Sequence, residues 1–399
     1  MNTGKIYRQL LFYEVKKCLR TPWLPVFVVF LLLLNGWKLD QSSRNAMSIR
    51  EESEELYEDF YSQWKGTITE ENVRELMKIY APLKKNAERM ALSSQGGSGT
   101  YTSKERQDYM FFASQFAEEM EYDYLYSNQA VRTANNAYSL VMLFRETGNS
   151  YEVRKNTLIY RQFAERSIPG FSDTKYLEVW FQHDYSSLLI VLLCVFCLSG
   201  MFVEEKESQM FMLLRTTPGG NKTTYLAKMT VCFAFILVIS FIFYFEDICI
   251  LQGLSGHADA LSSPVYALRP MESGAFSMSM LSFIVWSYGV RLLGLMCIGS
   301  TVLLISCLCT RTLSVFAIST AILLAMSYMQ AALRQWYVIN LANPMELLMI
   351  RRAASVCEYV NFLGYPMLKT TGVIIGGVMY LLLMQLLVYR TNPGHLLKR

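Results

Sequence analysis

Six runs of uncharged, mostly apolar residues decide what this chain can fold into: 24–37, 185–203, 229–245, 292–309, 313–329 and 372–388. Backbone that enters hydrocarbon must satisfy its own hydrogen bonds, so runs of this kind become helices of roughly 17–25 residues. The first run is short, but a helical pattern precedes it and the span can extend through Leu39. A hydrophobic content of 52% and aromatic content of 14% are high for a water-soluble protein of 399 residues, and the mean hydropathy is +0.22. The expected fold class is an all-α integral membrane protein with six transmembrane helices, at 23–37, 185–203, 229–246, 289–309, 313–330 and 370–389.

A cleaved signal peptide fits poorly: the basic region is too long, and the small-residue triplet Ala46-Met47-Ser48 lies well past the apolar run. The net charge of +4 gives no reason to expect a nucleic-acid partner. Residues 38–184 contain no cysteine and are no disulfide scaffold; Cys249 and Cys357 sit near outer span ends, and nothing else in the sequence supports a bridge between them. Lysine and arginine cluster at Lys5, Arg8, Lys16, Lys17 and Arg20, at Lys206, Arg215, Lys222 and Lys228, at Arg311, and at Arg390, Lys398 and Arg399. All four groups face the cytoplasm if both termini, 1–22 and 390–399, are cytoplasmic, although Arg334, Arg351, Arg352 and Lys369 then lie in an outer loop. The chain is expected in a cell membrane, of a bacterium.

That topology puts 38–184 outside as a mainly helical extracytoplasmic domain between the first two spans. Leu56 and Phe60 mark one helix; a second starts near Thr69 with Glu70 and Glu71 in its first turn; a third runs from Ser103 towards Glu146; the tip Gly96 to Gly99 separates the last two, and Pro169-Gly170 ends the domain. Acidic residues outnumber basic ones, a mild attraction for a cationic ligand. Two further outer connections, 247–288 and 331–369, follow; the first carries a short apolar stretch from 278 expected to lie at the outer surface as a separate helix, followed by Arg291, expected to snorkel to the interface. Glu246 and Asp247 are expected in solvent at the end of the third span.

Catalytic patterns are not met. TTPGGNKTT lacks the G-x-x-x-x-G-K-[ST] spacing that lets backbone amides and a lysine wrap phosphates, and membrane helices flank it. Glu204-Glu205 lacks the arginine that an intramembrane glutamate protease would place at 209, where glutamine stands; His183, His257 and His395 are far apart, and no serine sits in G-x-S-x-G. No cofactor or metal is expected on this chain, and no enzymatic activity of its own.

The segment 204–228 reads as a helical elbow at the cytoplasmic face. Met210, Phe211, Leu213 and Leu214 make an apolar side, acids precede it and Arg215 follows, in keeping with a helix dipole; Pro218, Gly219 and Gly220 break the helix, and a new one leads into the third span. The N-terminal segment has Tyr7, Leu11, Val15 and Cys18 on one face and Arg8, Lys16, Lys17 and Arg20 on another, as in an amphipathic helix on the inner leaflet. Gly372 and Gly376 form G-x-x-x-G in the last span, a helix-packing spacing.

These features together resemble the ABC-2 type transporter permeases: an acidic residue ending the second span, Leu213-Leu214, Thr217-Pro218-Gly219-Gly220, Lys228 entering the third span, a large outer domain after the first span, and Asn343-Pro344 in the last outer connection. Many members have glycine where this chain has Gln209, and arginine just after the proline. The resemblance implies a permease subunit of an ATP-driven exporter that forms its pathway with a second permease subunit, as homo- or heterodimer. Mg-ATP would be hydrolysed on a separate ABC ATPase subunit, docked by Glu204, Glu205, Met210, Phe211, Leu214 and Arg215, with 310–312 as a minor contact. The substrate would be a drug, lipid, ion or antimicrobial peptide, the last favoured by the acidic outer domain. The alternative is a membrane sensor or scaffold whose outer domain binds a ligand and signals inward without transport.

Overall fold

A computed structural model describes residues 3–18, 23–51, 53–93, 103–210, 220–255, 257–332 and 340–391. Helix α1 (Thr3–Cys18) precedes α2 (Leu24–Glu51), which holds the first span and continues without a break into the outer domain. The composition changes at Lys38, yet nothing there ends a helix, so the expected domain boundary falls inside α2.

The outer domain adds α3 (Glu54–Trp64), α4 (Glu70–Ser93), α5 (Ser103–Phe112), a π-helical turn at Ala113–Ala117, α6 (Glu118–Glu146) and α7 (Ser150–Phe163). Thr69 Oγ1 accepts the Asn72 amide at the start of α4. Tyr57, Tyr61 and Trp64 form the buried face of α3, with Phe60 packed beside them, while Leu56 is exposed; the inward face is thus rotated from the expected Leu56/Phe60 pair. The reason is aromatic: Phe116 meets Tyr57 face to face and Trp64 edge on, and Phe171 closes the far side. Arg50, at the end of α2, locks this core by its 2.5 Å bond to Asp173 and its position over the Tyr57 ring. Gly170 is required where the chain returns, because a Cβ there would lie 2.2 Å from the Gly66 carbonyl oxygen.

The second span is built from three pieces, α8 (Lys175–Gln182), α9 (Tyr185–Leu198) and α10 (Gly200–Glu207). Helix α11 (Gly220–Ser255) is the third span, and three short 3-10 turns then lead to α12 (Met280–Leu308), the fourth. No separate interfacial helix precedes α12: Ser279 caps it at its side-chain oxygen and it runs unbroken through the expected surface stretch. Helix α13 (Thr312–Ala332) is the fifth span; α14 (Pro344–Leu348) and α15 (Ile350–Ala354) follow, then α16 (Lys369–Thr391), the sixth. Asn343 accepts from the Met345 amide and Pro344 sits in the first turn of α14.

Between α15 and α16 lies an antiparallel hairpin, β1 (Tyr359–Phe362) and β2 (Tyr365–Leu368). Its two-residue turn, Leu363-Gly364, has both φ angles positive, at 51° and 84°. Such turns match the twist of the flanking strands.

Helix α12 is the axis of the bundle and packs on α9, α11, α13 and α16. Its apolar window is 78% buried against 17% for α13 and 22% for α2 and α16, so those three present most of their surface to lipid or to a partner. Small residues on α12 (Gly294, Cys297, Gly299, Ser300) let its neighbours approach, which drives association where lipid removes the hydrophobic advantage. The last span is held in the same way: a Cβ on Gly376 would lie 2.0 Å from the Leu341 carbonyl oxygen, and one on Gly372 would touch the Leu341 side chain.

Candidate functional site

At the end of the bundle where α1 packs, five charged side chains from three elements meet. Lys228, one turn into the third span and wholly buried, is 2.5 Å from Glu205 on α10, 3.1 Å from Glu14 on α1, and donates to the Met201 carbonyl at 2.5 Å. Lys17 lies 3.6 Å from Glu204 and 3.7 Å from Glu205, and also donates to Met201. Buried ammonium and carboxylate groups persist only when paired; here each pairing joins a different element, so α1, α10 and α11 are fixed to one another.

Helix α10 is also stapled to the turn between the fourth and fifth spans. Lys206 donates to the carbonyls of Cys307 and Cys309, capping the C-terminus of α12, and Glu207 accepts from the Thr312 amide at 2.9 Å, capping the N-terminus of α13. Where the second span breaks at Ser199, Ser306 of α12 donates to its carbonyl and accepts from the Phe202 amide. The helix ends at Glu207, and Gln209, two residues on, has a positive φ of 57°.

Among the residues expected to couple, Glu204 is exposed beside Lys17 and Met210 is 47% exposed. Glu205 lies inside the cluster with Lys228. Phe211, Leu214 and Arg215 lie outside the described residues. Tyr7, Leu11 and Val15 are partly buried; Leu11 and Val15 pack against the bundle core, and Tyr7 reaches Thr230 at 2.9 Å. Glu14 was missed by sequence reasoning, although it stands on the same face as Tyr7, Leu11 and Cys18; an acid on an apolar face, with a lysine at the mouth of a span, is the signal that would have found the pair.

A second polar network sits at the opposite end of the bundle. Between α8 and α9 the chain leaves the helix at His183-Asp184, and Asp184 accepts from Arg291 at 2.8 Å and Arg351 at 2.9 Å, with Arg352 3.1 Å away. Arg351 also donates to the carbonyls of Trp180 and His183, capping α8. Arg291 therefore does not snorkel: it is 2% exposed and turned inward, because the break in the second span offers a carboxylate at its depth. Nor is Asp247 solvated. It is 1% exposed and accepts from Asn35 at 2.7 Å and from Ser186, while His183 donates to Asn35 at 3.2 Å. The third span runs on to Ser255, so Asp247 lies within the packed helix and not at its end; Glu246 is part-buried and accepts from the same Asn35 amide at 3.0 Å. Cys249 and Cys357 are both free, Cys357 facing Gln162.

Beside this network a cleft of about 900 Å3 runs between α2, α8, α9, α13 and α14. His183, Asp184, Lys38, Lys175 and Glu178 line one part of it, and most of the remaining lining is apolar, with Ser187, Thr320 and Ser327 among it.

Six candidate spans, a helix bound at one end of them and a helical domain at the other define a multi-pass membrane protein. The chain belongs to the ABC-2 transporters: the family model described as ABC-2 family transporter protein matches residues 19–389. It is thus a permease component of an ABC transporter, a class that associates with an ABC ATPase at the membrane. Among curated proteins, none matches the chain.

Proposed function

We propose that this permease is an export subunit driven through its 204–228 segment by a separate ATPase subunit that binds Mg-ATP, with two permease subunits pairing around the pathway and both termini in the cytoplasm of a bacterial cell. The observation that carries the reading is the fixing of α10: the root of the elbow is tied by Lys228, Lys206 and Glu207 to the third span and to the turn joining the fourth and fifth. A push on the elbow is then shared by four spans. Glu204, Met210, Phe211, Leu214 and Arg215 supply the docking surface, whereas Glu205 acts from inside as its anchor. The substrate we assign is a cationic peptide or drug, on the ground of the acidic outer domain.

The test is purification of the tagged chain from its native membrane in mild detergent, with ATP hydrolysis measured in nanodiscs. A stoichiometric ATPase should accompany the chain, and Phe211→Asp with Leu214→Asp should remove it while membrane insertion persists. A double variant that keeps a fully coupled ATPase would show that the elbow is not the docking element. A preparation without any ATPase would favour the sensor reading.

A further inference from the structure

We propose that the β1–β2 hairpin is a membrane anchor, its turn seated among the lipid headgroups and upper acyl chains beside the sixth span, in the leaflet on the side of the outer domain. The inference is independent of what the permease exports.

Strand β2 ends at Leu368 and α16 begins at Lys369, with no residue between them. The Lys369 amide donates to the Glu358 carbonyl at 2.9 Å, so the base of the hairpin is tied to the first turn of the span. The 23 residues of α16 reach about 34 Å, slightly more than the roughly 30 Å of hydrocarbon in a bilayer, which puts the ends of the helix at headgroup level. The turn lies no more than about 14 Å from Leu368, and headgroups occupy about 5–8 Å of that distance. A hairpin inclined from the membrane normal therefore brings its turn into them.

The side chains at the turn call for that inclination. Tyr359, at the base, donates to Gln162 of α7 at 3.0 Å, and Val360, Met367 and Leu368 are half-buried. Phe362, by contrast, is 59% exposed, Leu363 86% and Tyr365 62%; Leu363 is the most exposed large apolar side chain among the described residues. Both turn positions have positive φ, where Asn, Asp or Gly is the usual choice. An asparagine at 363 would suit the turn and water alike. A leucine that suits neither breaks a local rule, and an apolar phase at that point supplies the reason. Arg154 of α7 adds the polar half: it is exposed, lies 4.3 Å over the Tyr365 ring and donates to the Gly364 carbonyl at 3.4 Å. Aromatic rings beside a basic side chain settle at the headgroup level, with the rings at the hydrocarbon boundary and the cation towards phosphate.

A protein partner fits less well. Phe362, Leu363 and Tyr365 together expose roughly 400 Å2, about half of the roughly 800 Å2 that each side of a stable protein interface buries. A bilayer sets no such minimum, because binding to it scales with the apolar area inserted.

The experiment uses the full chain with a photoreactive benzophenone amino acid in place of Phe362 or of Leu363, reconstituted in vesicles of phosphatidylethanolamine and phosphatidylglycerol and irradiated, with adducts identified by mass spectrometry. Met379, 64% exposed near the middle of α16, serves as the lipid reference, and Met77, 48% exposed on α4, as the water reference. Lipid adducts at 362 and 363 should reach about half or more of the yield at 379 and exceed that at 77 about fivefold. Leu363→Asn should lower the yield at 362 about threefold without lowering the melting temperature, since it removes apolar area and suits the turn. Lipid yields at both positions no higher than at 77 overturn the anchor, as does a yield at 362 that Leu363→Asn leaves unchanged. Cross-linking between two copies or to another protein as the main product overturns it too. If the chain altered at 363 does not fold, position 362, where one aromatic ring replaces another within a strand, decides the question alone.

Discussion

Replacing Lys228 by methionine tests the charged cluster of α1, α10 and α11 most sharply. The change keeps most of the side-chain volume and removes one charge from a position with no solvent exposure. Two carboxylates lose a partner, but unequally. Glu205 keeps Lys17 at 3.7 Å, whereas among the described residues Glu14 has no other ion pair within 4 Å and its Oε2 already lacks a hydrogen bond, with its side chain 2% exposed. The penalty should therefore fall on Glu14, and breaking a buried pair by removing one partner costs about 3–5 kcal/mol. The assay is the apparent melting temperature of the reconstituted chain, read by intrinsic tryptophan fluorescence, for Lys228→Met, Glu14→Gln and the double variant. Lys228→Met should be the least stable of the three. The double variant should recover most of the loss, because two neutral groups of similar shape replace a buried charge without a partner. The reasoning fails if Lys228→Met melts with the unaltered chain, or if Glu14→Gln adds its own loss to that of Lys228→Met instead of relieving it.

The outer domain carries a pH response. On α6, burial, then the neighbouring Glu119, pushes the Asp123 carboxyl up to about 8, with Arg269 opposing. Since the folded state holds this proton more tightly than the unfolded chain, the stabilisation is complete below the ordinary aspartate range and is lost as the pH rises towards 8. The folding free energy should fall between pH 5 and pH 8, by on the order of 1 kcal/mol per pH unit from this group, and the apparent melting temperature with it. Asp123→Asn should flatten that slope, and parallel curves for the two proteins would refute the assignment. At the elbow, Gln209 holds a left-handed φ of 57°, a conformation costing a side-chain-bearing residue roughly 1–2 kcal/mol. Gln209→Gly should raise the melting temperature slightly and Gln209→Val lower it; the opposite order would mean that the left-handed turn is not maintained in the membrane.

Much of the architecture is written in the apolar runs, because hydrocarbon permits few solutions to the backbone hydrogen-bond problem. The six runs give six spans, Thr69 and Asn343-Pro344 sit at helix starts as their local chemistry requires, and Pro169-Gly170 falls in the connection between α7 and α8. What composition hides is depth. Glu246 and Asp247 look like the end of a span because the apolar run stops there, yet the helix continues to Ser255 and Asp247 is buried by Asn35 and Ser186, which are distant in sequence. Arg291 looks stranded at an interface until the chain breaks at His183-Asp184 and supplies its carboxylate. The β1–β2 hairpin escapes notice for a local reason: its turn places Leu363, a residue with no turn preference, in the left-handed conformation before Gly364.

The same depth rule separates the two carboxylates at the root of the elbow, adjacent in sequence and opposite in role. On a helix, neighbours point about 100° apart, so with Glu205 turned to Lys228 inside the bundle, Glu204 must face outward, where its side chain remains 53% exposed. Only Glu204 of the pair is open to a partner. Charge reversal at Glu204 should then weaken association with an ATPase while leaving the melting temperature almost unchanged, since an exposed ion pair contributes about 1 kcal/mol or less. Neutralising Glu205 should do the reverse, because it strips Lys228 of its nearest counter-ion before any partner arrives. Equal effects of the two changes on both measurements would mean that the helix turns about its axis when the partner binds.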